Sequence, residues 1–180
     1  KTVILGIAND IGEPPNIFDA YDPRSLYHAK NNSFPDENDL IKNVEKFYNK
    51  LLKHNVEILR PENIPNCNQI FTRDLGFVIS NIFFISNIVP ARQDEIQGIE
   101  NIIKNLDVGV IKLPEFMHIE GGDVVLHNGK LFIGTYLDAN YSSLITARTN
   151  IASIEYLKKM LPNIEICLLY TSDAADDSLR

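Results

Sequence analysis

The chain has 180 residues, 44% of them apolar and 23% charged, and carries a formal net charge of −7. That length buries the core of one domain, two at most. The acidic balance excludes a basic grip on nucleic acid but would not repel a cationic small molecule.

In chain order, the first apolar run is the strand-like "TVILGI" from Thr2. A start signal, "SFPDEND", follows, and then Leu40, Ile41, Val44, Phe47, Tyr48, Leu51 and Leu52 recur on one helical face. The spacing predicts a helix over Asp39–Lys53, with the strand "VEILR" after it from Val56. "FVISNIFFIS" reads as two short strands. Ile96, Ile99, Ile102, Ile103 and Leu106 then predict a helix over Asp94–Leu106, followed by the strand "VGVIKL" from Val108. "VVLHNGKLFIG" reads as a hairpin whose Asn128-Gly129 pair calls for a type I′ turn. Ile151, Ile154, Leu157, Met160 and Leu161 predict a last helix over Asn150–Leu161, capped by Thr149 or Asn150, before the strand "IEICLLY".

Strand, strand, helix, strand therefore recurs with a period of roughly fifty residues, the mark of a propeller or an array whose units must pack beside one another. A single mixed α/β sandwich is the plainer alternative. No apolar run reaches membrane-spanning length, because Asn81, Asn87 and Arg92 interrupt the longest. Cys67 and Cys167 are the only cysteines and show no CxxC or His–Cys spacing. A disulfide scaffold and a zinc site are thereby set aside, and a reducing cytoplasm is expected.

The repeat gives the charged residues their interest. "FTRD" stands directly before one pair of strands and "IEGGD" directly before the next. Units arranged about an axis would bring Asp74 and the Glu120/Asp123 pair to one central place. Converging carboxylates are costly without a metal, a shared proton or a cationic ligand. Metal is poorly supported, since no histidine or third carboxylate sits at ligand spacing. A guanidinium fits better: it is planar, permanently charged and a bidentate partner for carboxylates. In that reading the two carboxyl groups face a common space that no lysine or arginine fills. The alternative is that Asp74 pairs with Arg73 and Glu120 caps a turn.

"FTRD" at Phe71–Asp74, "IEGGDV" at Ile119–Val124 and "ARTN" at Ala147–Asn150 resemble, in order and spacing, motifs of the guanidino-group-modifying enzymes. These are the arginine deiminases, amidinotransferases and dimethylarginine hydrolases. The resemblance runs from about Thr2 to Leu169 and implies the pentein fold, a five-bladed α/β propeller of ββαβ units, of which about three would be present here. It implies that Asp74 binds the substrate guanidinium and that Glu120 contacts the same group and steadies a catalytic histidine. Gly121 and Gly122 would let backbone approach the ligand. Asp123 is expected at the substrate site, holding the loop, and Arg148 would pair with a substrate α-carboxylate. No cofactor is implied, and the partner is an arginine-like small molecule rather than nucleic acid or membrane.

The family's His-x-Asp motif and late nucleophilic cysteine have no counterpart here. His28, His54, His118 and His127 do not occupy the matching place; His118 reads as a buried or rim residue and His127 as exposed. Cys167 reads as inert core and Cys67 as a loop residue with no basic partner nearby. In the family a cysteine thiolate attacks the guanidinium carbon, and water or an amine then completes hydrolysis or amidine transfer. These residues do not decide between the two, and a non-catalytic propeller-type binding module is the alternative function. From Tyr170 the sequence turns small and acidic, resembling read-through of a cloning or sequencing adapter. Residues 170–180 are accordingly expected to be foreign and disordered, with the natural chain cut off in mid-domain and inactive alone.

Overall fold

Asp36 starts the longest helix by accepting the N–H of Asn38 on its carboxylate at 2.8 Å. This is the cap that a short acidic residue supplies to an otherwise orphaned donor. In the computed structural model, which describes residues 1–20, 22–135 and 148–170, that helix is α2 (Glu37–Lys53), two residues longer at its start than its apolar spacing predicts. It follows a shorter helix, α1 (Pro23–Asn31). The flanking strands β1 (Thr2–Ile4) and β2 (Glu57–Leu59) pair in parallel, Val3 opposite Ile58.

The chain divides into two compact units. The first holds Lys1–Ala20, Arg24–Arg73 and Pro90–Val108; the second holds Asp74–Val89 and the chain from Gly109 onward. The first unit thus contains the two-stranded sheet, α2 and the segment that follows Val89. That segment differs from its prediction. Pro90–Ile99 is a 3-10 helix, and only α3 (Glu100–Asn105) is α-helical. Arg92 and Glu95, three apart on this helix, form a buried ion pair with Nε–Oε1 2.6 Å and Nη2–Oε2 2.8 Å. Gly98 is pressed by the amide of buried Gln69, which bonds the Glu62 carbonyl and the Ile64 N–H.

The second unit holds two three-stranded sheets with one topology. In the first, β3 (Gly76–Ile79) pairs antiparallel with β4 (Ile82–Ile85), which pairs parallel with β5 (Gly109–Lys112). In the second, β6 (Val124–His127), β7 (Lys130–Thr135) and β8 (Glu165–Tyr170) repeat that order and those directions. Between β7 and β8 lies α4 (Ile151–Met160), capped by Asn150, whose side chain accepts the Ser153 N–H at 3.0 Å. Asn128 and Gly129 turn the β6–β7 hairpin with φ of 48° and 74°, the left-handed pair that a type I′ turn requires.

The expected three equivalent units reduce to two. Among the described residues the first sheet has only β1 and β2, which match the parallel pair of the other sheets; the antiparallel member has no counterpart. A core of Phe77, Ile79, Phe84, Leu113, Met117, Ile119, Val124, Leu131, Ile133, Ile154 and Leu157 joins both sheets and α4 of the second unit. Phe77 and Phe84, opposite each other across β3 and β4, stack with ring centroids 5.1 Å apart. Truncating one of the fully buried members to alanine costs about 2–5 kcal/mol, enough to make the pairing of the two sheets specific. Of the expected foreign tail, Tyr170 ends β8, and residues 171–180 lie outside the described residues. No helix among the described residues is long and apolar enough to cross a membrane.

Candidate functional site

Both acidic motifs fold the same way. Thr72–Leu75 is a single 3-10 turn directly before β3, and Gly121–Asp123 is a single 3-10 turn directly before β6. A tight turn at the mouth of a hairpin holds its polar side chains clear of the apolar strands that follow. Asp74, Glu120, Gly121, Gly122, Asp123 and Arg148 all lie in the second unit.

Glu120 is buried, at 4% exposure. Its Oε2 accepts from Arg148 Nη1 at 2.6 Å, and its Oε1 receives the Val89 N–H at 3.4 Å. The Glu120 and Arg148 side chains are only 5% and 16% exposed, so this charge-assisted contact is little screened by water. The expectation that no arginine fills the space before Glu120 does not hold: the guanidinium resting on this carboxylate is Arg148's own. Arg148 was assigned to a ligand carboxylate, and here it meets a protein one. A buried carboxylate needs a counter-charge, and Arg148 supplies it.

Asp123 is occupied differently. Its Oδ2 accepts the Arg148 N–H and the Thr149 hydroxyl, each at 2.9 Å. Burial raises its carboxyl above the ordinary value of 3.8, and nearby Asp74 adds to that rise; the two hydrogen bonds and Arg148 oppose it. Asp74 reaches across the turn from the other motif, and its Oδ1 would lie 2.2 Å from a β-carbon at Gly122. Gly122 is therefore needed for its missing side chain, because Asp74 occupies that place. Sequence reasoning expected these glycines to admit a ligand to the backbone; at Gly122 the group admitted is Asp74. The structure thus brings Asp74, Gly122, Asp123, Glu120 and Arg148 into one network.

Asn87 was noticed only as a break in an apolar run. Its amide donates to the Pro114 and Met117 carbonyls at 2.6 and 3.0 Å, with the Leu113 carbonyl at 3.1 Å, and its backbone bridges to Ile119. It shapes the loop that delivers Glu120. A polar residue amid six apolar ones is a signal of such a role, but not of its partner. Ala147 lies outside the described residues; Asn150, from the same motif, caps α4 and donates to the Phe116 carbonyl at 2.9 Å.

The remaining candidates fall away from this network. His118 is half-buried, and burial lowers its pKa; its carbonyl accepts the Asn150 N–H at 2.9 Å. His127 is exposed on β6. Cys167 is not inert core as expected but half-buried on β8, with Sγ 3.7 Å from Glu165 Oε1. The thiol of Cys67 is raised by burial and by Glu95 and Asp94, partly offset by Arg92. Among the described residues, no group of three His, Cys, Asp or Glu could hold a metal ion.

No family model matches the chain. The uncharacterized protein YkgA of Bacillus subtilis (strain 168) is 31% identical over 139 residues, spanning 74% of this chain and 45% of YkgA. Among solved structures, the N-terminal domain of ArgZ, an arginine dihydrolase from the ornithine-ammonia cycle in cyanobacteria, was solved as a mutant bound to substrate. It matches with a TM-score of 0.73 and 16% identity over 96% of this chain and 58% of that one. DDAH from Pseudomonas aeruginosa, complexed with citrulline, matches with a TM-score of 0.67 and 16% identity over 97% of this chain and 62% of that one. SxtG, an amidinotransferase from Microseira wollei in the saxitoxin biosynthetic pathway, gives 0.66 and 16% over 96% and 60%. The chain thus spans less than half of YkgA and 58–62% of these solved chains. It carries the pentein fold that these structures share, that of the guanidino-group-modifying enzymes its motifs resemble.

Proposed function

We propose that the protein acts on the guanidinium group of arginine or a related compound, with Asp74 and Glu120 as the residues that hold the cation. The observation that carries this reading is the approach of the two acidic motifs, Asp74 of one lying over Gly122 of the other and near Asp123. Arg148, now on the buried Glu120 carboxylate at 2.6 Å, is the cation that a substrate guanidinium would replace there. Asp74, drawn over Gly122 from the neighbouring hairpin mouth, is the second carboxylate of the clasp. In this reading the two three-stranded sheets are successive blades of a propeller, and the hairpin mouths face its axis. The fold alone does not fix the activity; the acidic set at the hairpin mouths is what favours it.

The chemistry follows from those residues. Two carboxylates orient the planar cation and offset its charge as the central carbon becomes tetrahedral. A cysteine thiolate forms a C–S bond to that carbon. The C–N bond to the departing amine breaks as a histidine gives that nitrogen its proton. Water, giving a proton to the histidine, attacks the resulting amidino-thioether; the C–S bond breaks, the thiolate is released and a ureido product forms, and an amine attacking in the same way gives a new guanidine. The thiol and histidine of this scheme are not among the network of Asp74, Glu120, Asp123 and Arg148, and no turnover is expected of this chain alone. The two free cysteines suit a reducing, cytoplasmic setting.

The test is calorimetric titration of this chain with L-arginine and with norleucine, which lacks the guanidinium, beside Glu120→Gln and Asp74→Asn. Arginine-selective binding that both variants lose supports the reading. Equal binding of both ligands, or arginine binding indifferent to both variants, overturns it.

A further inference from the structure

We infer that Asp123 is a positioning residue whose carboxylate sets the Arg148 guanidinium on Glu120. Residues 148–150 are stitched down at successive points within the second unit. One oxygen of Asp123, Oδ2, takes both the Arg148 N–H and the Thr149 hydroxyl at 2.9 Å. The Thr149 carbonyl accepts from the Thr135 hydroxyl at 3.0 Å, and both threonines are wholly buried. The Asn150 N–H then bonds the His118 carbonyl at 2.9 Å. Arginine has a long, freely rotating stem, and a 2.6 Å contact tolerates little movement at its root. Asp123 is three residues after Glu120 in one turn, so a single short segment fixes both ends of the contact: Glu120 supplies the acceptor, and Asp123 anchors the backbone that bears the donor.

The Asp123 N–H donates to the Glu120 carbonyl at 3.0 Å, while its carboxylate bonds the Arg148 backbone and so acts on the Glu120 side chain through Arg148. The inference rests on the proposed guanidinium reading only for its functional meaning, because the arrangement itself can be read without a ligand. The experiment is side-chain hydrogen exchange on the nitrogen-15-labelled chain, with the Arg148 Nη–H signal assigned by its loss in Arg148→Lys. Asp123→Ala is expected to speed Arg148 Nη–H exchange about tenfold, while the amides of Leu131 and Ile133 keep their protection. Asp123→Asn, whose amide oxygen can still accept the Arg148 N–H, recovers part of it, and Thr149→Val gives a smaller acceleration.

If Asp123→Ala does not fold, Asp123→Asn and Thr149→Val decide the matter. Arg148 exchange unchanged in both overturns the inference. So does exchange that rises equally at Arg148, Leu131 and Ile133, which would make Asp123 a general stabiliser. Failure of the guanidinium reading looks different: arginine does not bind, yet the Arg148 signature still depends on Asp123.

Discussion

Arg148 Nη1 lies 2.6 Å from Glu120 Oε2, joining residues 28 apart in the chain at a place both motifs reach. The pair is nearly dry, with side-chain exposures of 16% and 5%. Removing one partner of such a pair costs far more than the pair is worth against an apolar replacement. Glu120→Gln and Arg148→Ala are each expected to lower stability by about 3 kcal/mol. The double variant should lose clearly less than the sum of the two, since neither charge then remains. Urea unfolding of the four proteins gives the coupling directly. Additive losses would show that the contact contributes nothing beyond its separate side chains.

Gly122 offers a sharper separation of stability from binding. A β-carbon there would meet Asp74 Oδ1 at 2.2 Å, but that oxygen is the end of a short side chain that can turn aside. Gly122→Ala is therefore expected to cost only about 1 kcal/mol. It should nonetheless displace Asp74 and weaken L-arginine binding at least about tenfold, the equivalent of one charge-assisted hydrogen bond. Calorimetry and thermal melting of the same sample check both halves. Full arginine affinity in Gly122→Ala would remove Asp74 from the clasp.

The pH dependence of stability has a definite sign at Asp123. Its folded-state carboxyl is raised above 3.8, first by burial and then by Asp74, against the hydrogen bonds from Arg148 and Thr149. The folded protein thus holds this proton more tightly than the unfolded chain does. The group's contribution is fully present below the unfolded value and is lost as pH rises through the folded one. Asp123→Asn cannot ionise and loses that slope. Unfolding curves from about pH 3 upward should show wild type losing stability relative to Asp123→Asn as pH rises from the ordinary carboxylate range. A difference that stays flat, or grows in favour of wild type, would mean that the hydrogen bonds outweigh burial.

Much of the second unit was legible in the sequence because its signals are local. Asn128-Gly129 dictates its turn, Asn150 its cap, and alternation its strands. The features that were missed depend on partners far along the chain. Helix α1 begins at an Asp22-Pro23 step, a sound start signal, but only Leu26, Tyr27 and Ala29 of its nine residues are apolar, too few to set a helical period. The helix expected over Asp94–Leu106 is 3-10 up to Ile99 and α-helical only over Glu100–Asn105, in a segment where buried Gln69 presses on Gly98 from far back in the chain. The acidic motifs were found by their recurrence directly before successive strand pairs, and the roles expected of them came from the resemblance. That Arg148 would turn to Glu120 could not be read, since no pattern records which of two carboxylates an arginine prefers.

The cysteines give the last prediction. A nucleophile for this chemistry needs a lowered thiol pKa, and Cys67 has the reverse: burial, Glu95 and Asp94 raise it, and Arg92 offsets only part. At pH 8 Cys67 should react with iodoacetamide several-fold more slowly than free cysteine, in line with its smaller thiolate fraction. Cys167, half-buried on β8, lies beside Glu165 rather than among Asp74, Glu120 and Arg148. The double variant Cys67→Ser/Cys167→Ser is thus expected to bind L-arginine as wild type does, and neither protein should release ammonia, urea or citrulline from it. A rapidly alkylated Cys67, or turnover by wild type that the double variant lacks, would make one of these thiols the nucleophile after all. The covalent step would then belong to this chain, and the thiol responsible would be identified by restoring each cysteine in turn.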